Sequence, residues 1–338
     1  MGSHRRLAPS GFDRGARGAT VCVLTAAAAA LGVLPAGAAP RDDTRAEVDR
    51  LYAQAEQATE AFNKADERAD TLHDQVDTAQ DGIARQQERI NTMRDALGSL
   101  AGAQYRSGGL DPSLALMFSD DPDEYLDKAA ALDRIGSRQA GELKELQGAM
   151  RTLSQDREEA TRKLAELEKS RKAVARHKRT VEQKLAKARQ LLNSMPDADR
   201  AAYDRASRSG RGEIPDLGGA VPSSGRAAAA VAAARSAVGR PYVWGASGPS
   251  GFDCSGLMQW SYGQAGVGLP RTSQAQAHAG QQVPLSQARP GDLVTYRSDA
   301  SHVAMYMGNG QVVHAPYPGA PVRYDPVGMM PVSAVTRP

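Results

Sequence analysis

Stepped alternately by three and four residues from Val48, the chain meets Leu51, Ala55, Ala58, Phe62, Ala65, Ala69, Leu72, Val76, Ala79, Ile83, Gln86, Ile90, Met93, Leu97 and Leu100. Only Gln86 is not apolar. A seam sustained over so many heptads predicts a coiled-coil helix. It stops at "YRSGGLDPS", where Gly108, Gly109 and Pro112 break the helix, and Asp121-Pro122 opens the next. A second seam runs through Tyr125, Ala129, Leu132, Leu143, Leu146, Met150, Leu153, Ala160, Leu164, Leu167, Val174, Val181, Leu185, Ala188 and Leu192. Its register is interrupted at Gly136, Gln139, Arg157, Arg171 and Lys178. Residues 42–193 are therefore expected to fold as an antiparallel hairpin of two helices, each about 85 to 105 Å long at 1.5 Å per residue. Many seam positions are Ala, which lets the helices approach closely but buries little area.

The pattern changes at Ser194. Pro, Gly and Ser accumulate to Gly225 without an apolar period, so residues 194–225 read as a flexible linker. Residues 226–338 are long enough for one compact domain. They begin with an Ala-rich helical stretch from Arg226 to Val238, followed by helix starts at Cys254 and near Ser273. The strand-like runs "DLVTYR", "HVAMYM" and "QVVHAP" follow. Helices ahead of adjacent strands predict an α+β domain with an antiparallel sheet.

The amino terminus has another character. Arg5, Arg6, Arg14 and Arg17 precede the uncharged run "ATVCVLTAAAAALGVL", and "PAGAAP" offers small residues at Ala36 and Ala38. Residues 1–39 thus read as a secretory signal peptide, too short in its apolar part for a permanent membrane span. Arg5-Arg6 hints weakly at twin-arginine export.

Export alters the meaning of charge and of cysteine. The whole chain carries +3, but removing the signal leaves equal numbers of acidic and basic residues, so no nucleic-acid partner is implied. The domain from Arg226 has eight Arg, four Asp and neither Lys nor Glu, a cationic balance that suits an anionic cell envelope. Cys22 leaves with the signal, so Cys254 is the one thiol of the mature protein and has no internal disulfide partner.

Cys254 falls where a helix starts, with Asp253 placed to cap it and Leu257, Met258 and Trp260 to bury one side. A thiol in a first helical turn meets the positive end of the macrodipole and free N–H groups, which favour thiolate. Those amides also suit an oxyanion. A thiol nucleophile needs a histidine as base, and a third polar group to orient it. His278 lies in a polar stretch, which leaves His302 and His314, separated by a hairpin at "GNG". A two-residue Asn309-Gly310 turn would pair Met305 with His314 and put the histidines on opposite faces. A three-residue loop pairs Ala304 with His314 and brings them to one face, so the chemistry predicts the three-residue loop. Asp292 follows Pro290-Gly291 as a turn residue, which leaves His314 as the candidate third member. No His/Asp cluster has metal-ligand spacing and no glycine-rich phosphate loop is present, so neither metal nor cofactor is expected.

Four separated blocks, "GRPYVWGASGPSGFDCSGLMQW", "LPRTSQAQ", "PGDLVTY" and "HVAMYMGNGQVVHA", resemble in order and spacing the NlpC-type cell-wall peptidases. These are papain-like cysteine enzymes that cut peptidoglycan stem peptides. The resemblance spans Arg226 to about Asp325. It implies a papain-like domain with Cys254 as nucleophile, His302 as base and acid, and His314 as orienting residue. Tyr242 matches a tyrosine that lines the oxyanion and substrate site. Asp253, Ser255 and Ser273 match positions that hold the stem's backbone, amine and carboxyl groups, with Arg271 a neighbour on that surface. Trp244 is read as core. Bonds between D-γ-glutamate and a diamino acid are the implied substrate, through a covalent acyl-enzyme and without a cofactor. A coiled coil ahead of such a domain resembles secreted cell-separation hydrolases. In those the arm docks on an ABC-transporter-like division complex and covers the active site until docking. The expected setting is extracellular and wall-associated. A related thiol amidase or acyltransferase, or a non-catalytic wall-binding division scaffold, is the alternative.

Overall fold

The computed structural model describes residues 41–106, 122–208, 219 and 221–338. The expected signal peptide at 1–39 and the break at 107–121 lie outside the described residues. Two helices, α1 (Arg41–Arg106) and α2 (Pro122–Ser194), run antiparallel. Their direction follows from the cross-contacts. Lys187 Nζ meets Glu47 at 3.7 Å, Ser170 Oγ donates to the Ala65 carbonyl at 2.8 Å, and Arg68 pairs with Glu166 at 2.7 Å. The seam buries Val48, Leu51, Ala55, Leu72, Val76 and Ile90 of α1 against Leu153, Leu167, Val181, Leu185 and Ala188 of α2. It loosens away from the C-terminal domain, where Leu100, Leu143 and Met150 stay exposed.

Residues 197–208, read from composition as part of a flexible linker, instead form helix α3 (Asp197–Arg208). Asp197 and Asp199 in its first turn complement the helix dipole. Buried Tyr203 packs beside Val48 and Leu51, and its hydroxyl donates to Asp49 Oδ1 at 3.2 Å. One buried aromatic in a short polar stretch leaves no apolar period to detect.

The C-terminal domain has the expected α+β architecture. Helices α4 (Gly225–Ser236), α5 (Cys254–Gln264) and α6 (Ser273–Gln276) precede a sheet built from β1 (Gln281–Gln282), β2 (Leu293–Tyr296), β3 (His302–Gly308), β4 (Gln311–His314), β5 (Arg323–Pro326) and β6 (Val332–Arg337). All pairings are antiparallel, in the order β1-β6-β2-β3-β4-β5. Helix α4 packs on α5 and α5 on β3, burying Ala230, Ala234, Leu257, Met258 and Tyr262 against Leu293, Val303, Met305 and Val313. Val294, Tyr296, Ala304, Val312 and Val335 form a second cluster on the other sheet face. Buried Asp292 fastens β6, accepting from Arg337 Nε at 2.9 Å and from its Nη2 at 2.7 Å.

The β3-β4 hairpin departs from expectation in one detail. Its turn is the two-residue Asn309-Gly310, both with positive φ (49° and 69°), and Gly308 pairs with Gln311. A bulge between Tyr306 and Gly308 then shifts the register, so that Tyr306 pairs with Val312 and Met305 with Val313. One step further sets Ala304 opposite His314 and keeps His302 on the His314 face. The extra residue sits in the strand rather than in the loop, with the same effect on register.

Candidate active site

Helix α5 begins at Cys254 because Asp253 caps it, Oδ1 accepting from the Gly256 N–H at 2.7 Å. Gly256 is required there: a Cβ would lie 2.2 Å from the Ala246 carbonyl oxygen. The close approach tucks the start of α5 beneath the 242–253 segment, which pairs with itself through Tyr242 and Phe252. Cys254 is fully buried.

Opposite the thiol, β3 and β4 present the two histidines as the register requires. His302 Nε2 lies 2.7 Å from His314 Nδ1, with the rings nearly perpendicular at 86°. His314 Nε2 lies 2.8 Å from Asp325 Oδ2 on β5, and Arg323 Nε donates to the same oxygen at 2.7 Å. Burial and the neighbouring His302 charge push the His314 pKa down to about 4 despite the Asp325 bond, so this ring is neutral near pH 7. Burial would raise Asp325, but the His314 bond and the charges of His314 and Arg323 outweigh it and keep the carboxyl below its usual range. These bonds fix the protons. Asp325 accepts from His314 Nε2–H, His314 Nδ1 therefore accepts from His302 Nε2–H, and His302 Nδ1 is left facing into the cleft. Asp325, eleven residues beyond His314, is a member of this chain of bonds that the sequence reading missed.

The cleft itself is filled by α1. Tyr52, Glu56, Thr59, Glu60 and Asn63, at helical spacing, are all buried against the domain. Glu56 takes His302 Nδ1 in a short hydrogen bond through Oε1, while its Oε2 accepts from Arg297 Nη1 at 2.7 Å. Glu60 Oε1 accepts from Ser255 Oγ at 2.7 Å and from the Cys254 thiol at 3.6 Å, and its Oε2 accepts from the Ser273 N–H at 2.8 Å. Asn63 Nδ2 donates to Asp253 Oδ2 at 3.1 Å. Aromatic contacts flank these bonds, with Tyr52 stacked on Tyr317 at 5.0 Å and Phe62 edge-on to Trp244 at 5.2 Å.

The arrangement brings the sequence-predicted residues together. Arg271 reaches Asp253 at 2.6 and 3.0 Å and Ser255 Oγ at 2.9 Å, which gives the carboxylate bound there a cationic neighbour. Ser273 contributes its backbone N–H, its hydroxyl being spent on the Ala300 carbonyl at 2.7 Å. Buried Tyr242 lies close enough to Cys254 and Asp253 for their charges to raise its pKa further, after burial, well above the ordinary tyrosine value. Trp244 packs partly buried between the domain and α1. His278 is exposed.

One electrostatic expectation fails in this conformation. The start of α5 was expected to favour thiolate, yet burial, followed by the charges of Glu60, Glu56 and Asp253, pushes the Cys254 pKa well above the usual thiol value. Carboxylates at close range in a dry site outweigh the partial charge of a helix end. Burial and the Asp253 charge likewise raise Glu60 to about 7, against the opposing bonds from Ser255 and Ser273 and the Arg271 charge. Glu56 goes the other way: burial would raise it, but the His302 charge and bond, and then Arg297, hold it below the usual range.

Residues 239–334 match the family model described as the NlpC/P60 family. This segment of the chain is an NlpC/P60 domain. Among curated proteins, the NlpC/P60 domain is 51% identical over 105 residues to the probable endopeptidase Rv2190c of Mycobacterium tuberculosis, a match covering 31% of this chain and 27% of the relative. It is 46% identical over 113 residues to the peptidoglycan endopeptidase RipA of Mycolicibacterium smegmatis, covering 28% of this chain and 23% of that protein. The chain therefore spans about a quarter of the length of these relatives. Among solved structures, the NlpC/P60 domain of the peptidoglycan hydrolase SagA is 39% identical, with 33% of this chain and 98% of that chain covered and a TM-score of 0.32. The P60 domain of antigen MAP1204 from M. avium subspecies paratuberculosis is 37% identical, covering 33% of this chain and 93% of that chain at a TM-score of 0.32. No described helix is long and apolar enough to cross a membrane.

Proposed function

We propose that this protein is an exported peptidoglycan endopeptidase that cuts stem peptides at D-γ-glutamyl bonds to a diamino acid, held in an inactive conformation by helix α1. The observation that carries this reading is the occupant of the cleft. A carboxylate, that of Glu60, sits in a cradle formed by the Ser255 hydroxyl, the Ser273 N–H and the nearby Arg271, and its Oε1 lies 3.6 Å from the Cys254 sulfur. A site that accepts a glutamyl carboxylate beside its thiol suits an acidic stem peptide.

With α1 withdrawn, His302 Nδ1 loses Glu56 and turns to the thiol. The imidazole takes the Cys254 proton, and the thiolate attacks the scissile carbonyl, whose oxygen is met by the α5 amides and the Tyr242 hydroxyl. His302 returns the proton to the leaving amine, and water then hydrolyses the thioester with the same imidazole as base. His314, oriented by Asp325, keeps the ring in the productive tautomer, the role that a third residue plays in such triads. Residues 1–39 serve as the removed export signal, and residues 226–338 as the peptidase domain. The helical pair doubles as a docking arm for a division complex of the ABC-transporter type, which couples release to cell separation.

The test is digestion of purified peptidoglycan by the mature protein, by a Glu56→Ala/Glu60→Ala variant that weakens the plug, and by the same variant carrying Cys254→Ala. Mass analysis should find stem-peptide fragments from the plug variant, few from the parent and none with Cys254→Ala. Release of whole stems from the sugar would indicate an amidase instead. Wall binding without products from the plug variant would leave the scaffold reading.

A further inference from the structure

The hydrolytic reading uses Cys254 and His302 and gives Glu56 only an obstructive part. Yet one ligating atom each from Glu56, Cys254 and His302 lie within 4.8 Å of one another, and all three residues are buried. We propose that this cluster is a zinc(II) site that fastens α1 over the cleft, with Glu56 Oε1, Cys254 Sγ and His302 Nδ1 as ligands. Zinc would make the closed arm a metal-locked state rather than one held by hydrogen bonds alone.

The donor set selects the metal class. Thiolate, imidazole and carboxylate are zinc ligands at about 2.0–2.3 Å, arranged tetrahedrally, and a thiolate disfavours magnesium and calcium. The side chains need shift only on the order of an ångström to reach that geometry. Glu60 Oε1, 3.6 Å from the sulfur, or a water would complete the shell.

The surroundings suit a dication in three further ways. His302 Nε2 is held by His314, and Glu56 Oε2 by Arg297 at 2.7 Å, so both ligands are oriented from behind, and their other atoms, which bond each other, lie near the thiol. Carboxyl groups of Glu56, Glu60 and Asp253 surround the thiol, with the guanidiniums of Arg271 and Arg297 beside them. A zinc ion would stabilise the Cys254 thiolate that burial and these carboxylates otherwise disfavour. Binding would release the thiol proton and the proton shared by His302 and Glu56, with no change of oxidation state. A cavity of about 410 Å³ lined by Tyr52, Glu56, Arg297, His314 and Asp325 adjoins one of the three ligands, Glu56.

The proposal stands whichever bond the site cleaves, and its test reads metal rather than turnover. Metal-stripped mature protein is titrated with zinc sulfate against a chromophoric chelator, and separately with cobalt(II) chloride. One zinc per chain is expected, together with a thiolate-to-cobalt charge-transfer band and at least a tenfold slowing of Cys254 alkylation by iodoacetamide when zinc is present. Glu56→Gln, which keeps size and a hydrogen-bonding group, should weaken zinc binding by about tenfold or more. Cys254→Ser should abolish the band. His73→Ala, which removes a surface imidazole beside Asp77, should change neither. Substoichiometric zinc in the parent would overturn the proposal, as would the same affinity and spectrum in Glu56→Gln and in Glu56→Ala. Absence of zinc binding with intact peptidoglycan cleavage by the plug variant would defeat the metal site and leave the proposed activity standing.

Discussion

The two walls of the cleft bring polar groups to Cys254 by different routes. On the sheet side, His302, His314 and Asp325 come from three adjacent strands within about two dozen residues of one another, each bonded to the next. On the helix side, Glu56, Glu60 and Asn63 arrive from residues 190 to 246 positions distant and bond to Ser255, Ser273, His302 and Asp253. The sheet side is set by strand register and cannot leave without unfolding the domain. The helix side is an interface between elements and, in the proposed release, dissociates whole. The same site thus contains a relay of two histidines that ends in the half-buried Asp325 and, in the proposed reading, a removable stopper of buried carboxyl groups. What separates them is whether the acid sits behind His302, beyond His314, or in front of it, toward the thiol.

The sharpest break of this contrast removes the stopper. Glu56 and Glu60 together make several charge-assisted hydrogen bonds in a buried setting, each worth about 1.5–3 kcal/mol. In a Glu56→Ala/Glu60→Ala variant, lifting α1 should become easier by roughly two to three orders of magnitude, allowing for imperfect additivity. Loss of those charges also lowers the thiol pKa, so alkylation of Cys254 at neutral pH should accelerate at least a hundredfold. Unchanged labelling would mean that α1 is held by its aromatic contacts, Tyr52 on Tyr317 and Phe62 on Trp244, and not by its carboxylates.

A smaller effect is expected from the relay. Asp325→Asn offers His314 Nε2 an amide whose N–H end opposes the ring proton, and it removes the charge that orients the ring. In the plug-weakened background, turnover should fall about tenfold to a hundredfold, with little change in thermal midpoint. Asp325→Glu should recover part of it. An equal loss of stability and activity would make Asp325 a structural residue joined to Arg323.

These two walls were unequally legible in the sequence. The hairpin was foreseen, with both histidines on one face, because strand period and turn chemistry are local; the bulge that sets the register sits where no residue type announces it. Asp325 was passed over because β5, "RYDP", is short, polar and ends in Pro, which disguises it as loop. The stopper was invisible for a more general reason. Glu56, Thr59, Glu60 and Asn63 recur at helical spacing opposite an apolar seam, and a buried polar stripe has the same sequence pattern as a solvated face. Its partners lie in another domain, and periodicity carries no information about them. Composition likewise hid α3, whose buried Tyr203 packs in the cluster with Val48 and Leu51. The heptad seam was legible at both ends of α1, but sequence could not reveal that only the end near the domain has a second buried face.

The smallest predicted effect distinguishes the walls by proton uptake. In the closed state Glu60 titrates at about 7, raised by burial and the Asp253 charge with Cys254, Ser255, Ser273 and Arg271 around it; once α1 lifts, it returns to the ordinary range near 4.3. A group whose closed-state pKa is the higher one favours closure below its free value and loses that contribution as pH rises through the closed-state value. Opening of α1 should therefore grow by about tenfold between pH 6 and pH 8 from this carboxyl alone. The sheet side contributes nothing in that window through His314, whose pKa near 4 leaves it neutral throughout. Hydrogen exchange of the α1 segment from Leu51 to Lys64, corrected for intrinsic rates, reads the opening directly. Protection should decline across this range in the parent and decline less in Glu60→Gln. Equal slopes would place the pH response elsewhere, and the carboxylate beside the thiol would then be a fixed hydrogen-bond acceptor instead of a proton-sensitive latch.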